Sequence, residues 1–191
     1  MKRIAIFASG SGSNFQAIVD SVKAGSLQAE VSLLVCDQEQ AKVIERANQA
    51  GVPTYVFTAK SFSSKKHYEE AILTELKNYE IDWLVLAGYM RLVGETLLHA
   101  YDGRIVNIHP SLLPAFPGLD AIGQAFEAKV KITGVTVHFV DEGMDTGPII
   151  AQEAVRIEEH DTYESLQANI QKVEHDLYPK TIEAILTGGA K

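Results

Sequence analysis

DWLVLAG, residues 82–88, is apolar without alternation, and GRIVNIH, residues 103–109, repeats the pattern further on. A strand with one wet face alternates polar and apolar residues. A continuously apolar strand is covered on both faces, as in a parallel sheet flanked by helices. Upstream, RIAIFA (3–8), AEVSLLVCD (29–37) and PTYVFT (53–58) also read as strands. Between them NFQAIVDSVKAG (14–25), QAKVIERANQAG (40–51) and SKKHYEEAILTELKNY (64–79) have helical spacing, as at Phe15, Ile18, Val19 and Val22. This alternation predicts an α/β fold: a doubly wound, mostly parallel sheet with right-handed crossovers.

The last third changes character. ITGVTVHFVD (132–141) and PIIAQEAVRIEE (148–159) read as two strands joined by a glycine-containing loop, which predicts an antiparallel C-terminal edge. DTYESLQANIQKVEHDL (161–177) reads as a long C-terminal helix with Leu166, Ile170, Val173 and Leu177 as its apolar stripe. Asp161 and Glu164 have capping-box spacing. Pro179 is expected to kink or restart the helix, and Gly188 and Gly189 to end it. No repeat or linker interrupts the chain, so residues 1–191 are expected to form one domain.

With 46% hydrophobic residues, 191 residues bury a core without staples. The single cysteine, Cys36, cannot form an internal disulfide and suits a reducing compartment. MKRIAIFASGSGS lacks the features of a secretory signal. No apolar run approaches the roughly 18 residues of a membrane span. A soluble, cytoplasmic protein is expected. The net charge of −8 argues against nucleic acid as a partner and requires any anionic ligand to be held by local donors. Monomer and homodimer are both left open.

ASGSGSNFQA (8–17) joins the first strand to the first helix. Gly10 and Gly12 allow close backbone approach, Ser11, Ser13 and Asn14 add short donors, and the helix N-terminus adds unpaired N–H groups. That combination predicts a phosphate site. Phe15 stands where the dinucleotide fingerprint needs its third glycine, and no Gly-Lys-Ser/Thr follows, so neither a nicotinamide site nor a Walker loop is indicated. Asp37, at the end of the second strand, is only a mimic of the ribose-binding acid.

IVNIHPSLLPAFPG (105–118) raises the chemical question. Asn107 and His109 leave the same face of a strand, at its carboxyl end, and Pro110 holds His109 extended. Three prolines then stiffen the next nine residues. Taken alone, His109 reads as a satisfied core histidine; paired with Asn107 at this place it reads as functional. VDEGMDTGP (140–148) is a loop on rigid strands with three carboxylates; Asp141 and Glu142 read as a solvated turn. His138 reads as structural. His67, His99, His160 and His175 have no ligand spacing, so no metal is expected.

SGSGSN, LAGYMR, NIHPSLLPAFPG, GVTVHFVDEGMDTGPII and QKVEHDLYP together resemble the phosphoribosylglycinamide formyltransferases, within the folate-dependent formyltransferase superfamily. The resemblance covers essentially the whole chain. It implies a Rossmann-like sheet of the formyltransferase type and transfer of formyl from 10-formyltetrahydrofolate, as co-substrate, to the amine of glycinamide ribonucleotide. It implies a catalytic set of Asn107, His109 and Asp145. It places the ribonucleotide on Gly12, Ser13, Asn14, Gln171 and Glu174. It gives the folate to Lys65, Met90, Arg91, Leu92 and Val93, with Val140 and Asp141 in the loop that closes on the pterin. Residues 1–100 would be a phosphate-binding half and 101–191 a catalytic and folate-binding half.

Three rivals use parts of this pattern. Methionyl-tRNA formyltransferases carry an additional C-terminal domain, for which this acidic chain is too short. A formyltetrahydrofolate hydrolase needs no phosphate cradle. A non-catalytic nucleotide-binding module explains SGSGSN but not Asn107 with His109.

Overall fold

A computed structural model describes residues 1–188. It contains one seven-stranded sheet in the order β3-β2-β1-β4-β5-β6-β7. In chain order the elements are β1 (Lys2–Ala8), α1 (Ser13–Lys23), β2 (Ala29–Cys36), α2 (Lys42–Ala50) and β3 (Thr54–Val56). A short 3₁₀ turn at Ala59–Ser61 leads to α3 (Lys65–Asn78), β4 (Trp83–Leu86), α4 (Glu95–Ala100) and β5 (Ile105–His109). The chain then forms α5 (Ala121–Glu127), β6 (Ile132–Phe139), β7 (Ile149–Arg156) and α6 (Tyr163–Leu186). β1 to β5 pair in parallel, and β6 runs antiparallel to both β5 and β7.

Both faces of the inner strands β1, β2, β4, β5 and β6 are largely buried, which is why those strands show little alternation. Ile4, Ile6 and Ala8 of β1 pack with Phe15, Val43 and Tyr178, from α1, α2 and α6. Ala5 and Phe7 point the other way, into Tyr68, Ile72 and Leu97 from α3 and α4. The chain winds outward from β1 to β3 and returns to β4 on the other side of β1. At such a switch point the loops leaving adjacent strands part in opposite directions and open a crevice at their carboxyl ends.

The short helices α4 and α5, of six and seven residues, carry too few turns for a periodic signal and were not anticipated. The start of α6 is one residue later than its sequence suggests. Thr162 is the N-cap, and it exchanges hydrogen bonds with Ser165 in the capping box. Asp161 is committed elsewhere: it accepts from the Glu158 N–H and the Ser165 hydroxyl, closing the turn before the helix.

Pro179 neither stops nor restarts α6, which continues to Leu186. Proline removes one helix hydrogen bond and strains the preceding turn, at a cost of about 3 kcal/mol. Against this, Tyr178, Pro179, Thr181, Ile182 and Ile185 are all buried, and each large apolar side chain buried contributes roughly 1.5–3 kcal/mol. The Tyr178 hydroxyl also reaches the Leu86 carbonyl at 2.8 Å and the Val106 carbonyl at 3.2 Å. Gly188 ends the helix in the left-handed region, with φ of 81°; Gly189 lies outside the described residues.

Tyr178→Phe should therefore destabilise the protein by about 1–3 kcal/mol, because two buried strand carbonyls lose their donor. Urea unfolding at neutral pH measures this; an unchanged midpoint would show that the hydroxyl does not hold α6 to the strands.

Candidate active site

A cavity of about 520 Å³ opens at the carboxyl ends of β1, β4 and β5. One wall is the end of β5. Asn107 and His109 share a face there, as two-residue spacing on a strand requires. His109 is 5% exposed.

The proline-rich loop after β5 is anchored rather than free. Thr136 donates its hydroxyl to the Ser111 carbonyl at 2.6 Å and accepts from the Leu113 N–H at 3.0 Å. Gln152 donates to the Leu113 carbonyl at 3.0 Å. The Leu113–Pro114 bond is cis. So held, the loop presents two backbone groups to the site. The Phe116 carbonyl lies 2.9 Å from His109 Nε2, and the Gly118 N–H donates to Asp145 Oδ2 at 2.8 Å.

Asp145 comes from the loop between β6 and β7, in a left-handed conformation with φ of 57°. Its Oδ2 is 3.4 Å from His109 Nδ1, and its Oδ1 is 3.7 Å from His138 Nε2. Each ring nitrogen of His109 thus faces an oxygen acceptor. Asp141, expected as a solvated turn residue, is exposed and braces its own loop: it accepts from the Gly143 N–H and the Thr146 hydroxyl. Val140 and Asp141 both border the cavity.

His138, expected as a structural residue, is buried and lies in contact with Asn107. It sits directly opposite Asn107 in the β5–β6 register, and its Nε2 lies 3.2 Å from Asn107 Nδ2. It borders the same cavity. Strand alternation gave its face, and only the cross-strand register reveals its neighbour.

The far end of the cavity is made by Asn14 of α1 with Gln171 and Glu174 of α6. Asn14 Nδ2 donates to Glu174 Oε2 at 3.3 Å, while Asn14 Oδ1 is buried without a partner among the described residues. Glu174 is 8% exposed. Burial pushes its carboxyl up to about 7, with the Asn14 hydrogen bond opposing the shift.

Gly12 and Ser13 lie just before Asn14 and do not border the cavity. Gly12 is the N-cap of α1 with φ of 73°. A Cβ there would fall 2.5 Å from Val43 Cγ2 and 2.9 Å from Val43 Cα, so only glycine fits. No side chain caps α1, which leaves its first N–H groups available to an anion.

Met90, Arg91, Leu92 and Val93 follow β4 and line the third side. Met90 and Leu92 are 65% and 53% exposed, an apolar rim. Arg91 Nε donates to Asp37 Oδ2 at 2.7 Å, and Asp37 also accepts from Ser9. Asp37 is thereby held between Arg91 and Ser9, and it does not border this cavity. Lys65, by contrast, lies outside this cavity. As the first residue of α3 its charge is directed toward Glu69, one turn along, and its Cε lies beside Gly94. Among the described residues no group of three or more His, Cys, Asp or Glu side chains is placed to hold a metal ion, and no helix is long and apolar enough to cross a membrane.

Residues 2–182 match the formyl transferase family. The chain is 58% identical over 186 residues to the phosphoribosylglycinamide formyltransferase of Bacillus subtilis, covering 97% of this chain and 95% of that one. The crystal structure of phosphoribosylglycinamide formyltransferase from Bacillus halodurans superposes with a TM-score of 0.95 at 62% identity, over 97% of this chain and 96% of that one. Glycinamide ribonucleotide transformylase 1 from Geobacillus kaustophilus also gives a TM-score of 0.95 at 62% identity, over 97% and 99%. Identity at this level over almost every residue, with a formyl-transferase match from the first strand into the last helix, leads to one assignment: the chain belongs to the phosphoribosylglycinamide formyltransferase family.

Proposed function

We propose that this chain transfers the formyl group of 10-formyltetrahydrofolate to the amine of glycinamide ribonucleotide, giving formylglycinamide ribonucleotide and tetrahydrofolate in purine biosynthesis. The carrying observation is the convergence of Asn107, His109 and Asp145 on the wall of one cavity that also reaches Asn14 and Glu174. Residues 1–191 act as one cytoplasmic unit on small-molecule substrates, with neither nucleic acid nor membrane as partner.

The chemistry is an acyl transfer. The ribonucleotide amine attacks the formyl carbon, a C–N bond forms, and the carbonyl oxygen takes up negative charge. Asn107 donates an N–H to that oxygen. His109 is the proton-handling group beside it. Its Nε2 contact with the Phe116 carbonyl is short, at 2.9 Å, whereas its Nδ1 contact with Asp145 is longer, at 3.4 Å. The longer contact is the one the reacting oxygen can share. Asp145 balances the charge on the ring. As the intermediate collapses, the bond from the formyl carbon to the folate nitrogen breaks, and that nitrogen takes the proton released by the amine. No metal enters the scheme.

The ribonucleotide phosphate lies on the N–H groups at the start of α1, around Gly12, Ser13 and Asn14, and Gln171 and Glu174 hold the rest of that substrate. The folate lies along Met90 to Val93, with Val140 and Asp141 over the pterin. Lys65, outside the cavity, serves only the outer end of the folate. Both substrates are anionic and the chain carries −8. A carboxyl at Glu174 that keeps its proton near neutrality adds no further repulsion inside the site.

Asn107→Ala should lower kcat by about 10²–10³-fold, and His109→Ala by roughly 10²–10⁴-fold, each with a wild-type circular dichroism spectrum. The absorbance of released folate measures both. Folate release that does not need the ribonucleotide would instead indicate hydrolysis, and near-wild-type kcat in either variant would remove that residue from the mechanism.

Glu174 also generates a pH signature. Its folded carboxyl titrates at about 7, against 4.5 for the free group. Below the lower value both states hold the proton. Between the two the unfolded chain releases it and the native protein does not, so stability falls as pH rises, by roughly 3 kcal/mol in total. Urea unfolding of Glu174→Gln should lack this slope, so that the variant gains on wild type from pH 4.5 upward; parallel curves would contradict the burial of an acid here.

A further inference from the structure

His138 is in direct contact with the amide that the mechanism uses, and its own hydrogen bonds determine what it offers that amide. It is 2% exposed, on β6 between β5 and the edge strand β7. Its Nδ1 lies 2.7 Å from the Phe139 carbonyl oxygen. A carbonyl only accepts, so Nδ1 carries the proton. Burial is the largest influence on the second proton and opposes it; the Phe139 carbonyl bond, Asp145 and Asp141 pull the other way, His109 adds to the opposition, and the net direction is down. Nε2 is left as a bare acceptor, 3.2 Å from the Asn107 side-chain nitrogen. Turned the other way, Asn107 would set its carbonyl oxygen against that lone pair. Asp145 Oδ1, at 3.7 Å, is too far from Nε2 to bond it, and its other oxygen is held by the Gly118 N–H.

We propose that His138 is a positioning residue: as the neutral Nδ1–H tautomer it fixes the Asn107 amide so that one N–H binds His138 and the other, not the carbonyl, faces the formyl oxygen. This rests on the role given to Asn107 in the proposed transfer. Nδ1 and Nε2 do separate jobs. The first is pinned by the backbone of the histidine's own strand, and the second transmits that choice across to β5. Without an acceptor at Nε2 the amide can turn through 180°, and the turned form presents a lone pair to a developing negative charge.

The test compares His138→Met with His138→Gln. Methionine has similar reach and no comparable acceptor, whereas a glutamine oxygen can reach the Nε2 position. His138→Met should lower kcat about tenfold or more, with KM for both substrates within about twofold, and His138→Gln should recover most of the loss. On an Asn107→Ala background His138→Met should change kcat by less than about twofold, because its effect passes through the missing amide. Nitrogen NMR of the wild-type protein should show the Nδ1–H tautomer at neutral pH, a readout that needs no variant to fold. A His138→Met enzyme with wild-type kcat, an equal loss on the Asn107→Ala background, or an imidazolium at neutral pH would overturn the inference. The two levels separate cleanly. Near-wild-type Asn107→Ala removes the role of Asn107 itself, while a crippled Asn107→Ala beside an unaffected His138→Met removes only this one.

Discussion

The antiparallel register between β5 and β6 sets Asn107 opposite His138 and His109 opposite Thr136, and the arrangement of the site follows from those pairings. In a wholly parallel sheet β5 would have been followed by a crossover helix and another strand in its own direction. Here the direction reverses, so one buried pair of strands presents a carboxamide, two imidazoles and a threonine on adjoining positions. Thr136 ties down the proline loop, the loop supplies the Phe116 carbonyl and the Gly118 N–H, and those two groups orient His109 and Asp145. His109, Asp145 and Thr136 are each held by backbone groups of that loop, and Asn107 by the His138 ring. That is how buried polar groups are kept satisfied and kept in one orientation at once.

Charge is handled locally rather than by the chain as a whole. The net charge is −8, yet under the proposed function the site takes a phosphate and a folate carboxylate. Arg91 is not a free cation for this purpose, since Asp37 neutralises it at 2.7 Å. What remains are backbone N–H groups at the uncapped start of α1 and a Glu174 carboxyl that burial keeps protonated to about pH 7. Neutral dipoles aimed at one point lose less to the surrounding negative field than a flexible surface cation that solvent screens.

Much of this was legible in the sequence because the signals are local. Continuous apolar runs marked the covered strands, glycine and serine marked the first turn, and two-residue spacing put Asn107 and His109 on one face. Asp145 was identifiable only through family resemblance, since its loop offers three carboxylates and spacing does not choose among them. The contact between His138 and Asn107 was not legible for a different reason: strand alternation gives a face but not the cross-strand partner. The same gap explains the start of α6. Asp161 has the right spacing to cap, but its carboxylate is taken by Glu158 and Ser165, a competition that no single-residue preference expresses. Pro179 was read by its local effect, and the burial of its neighbours on the sheet outweighs that effect.

Pro179 also shows how stability and function share one device. Glu174 lies on α6 four residues before Tyr178, so the two side chains project along the same side of the helix. Tyr178 fixes the height of that side over the sheet by bonding the carbonyls of Leu86 and Val106, the residues that lead into the Met90 segment and precede Asn107. A shift of the helix along its axis would therefore break the buried hydrogen bonds to β4 and β5. A proline in the next position limits the backbone further by fixing its φ. A residue that looks like a helix breaker thus stiffens the stretch of α6 that follows Glu174 and anchors the helix to β4 and β5.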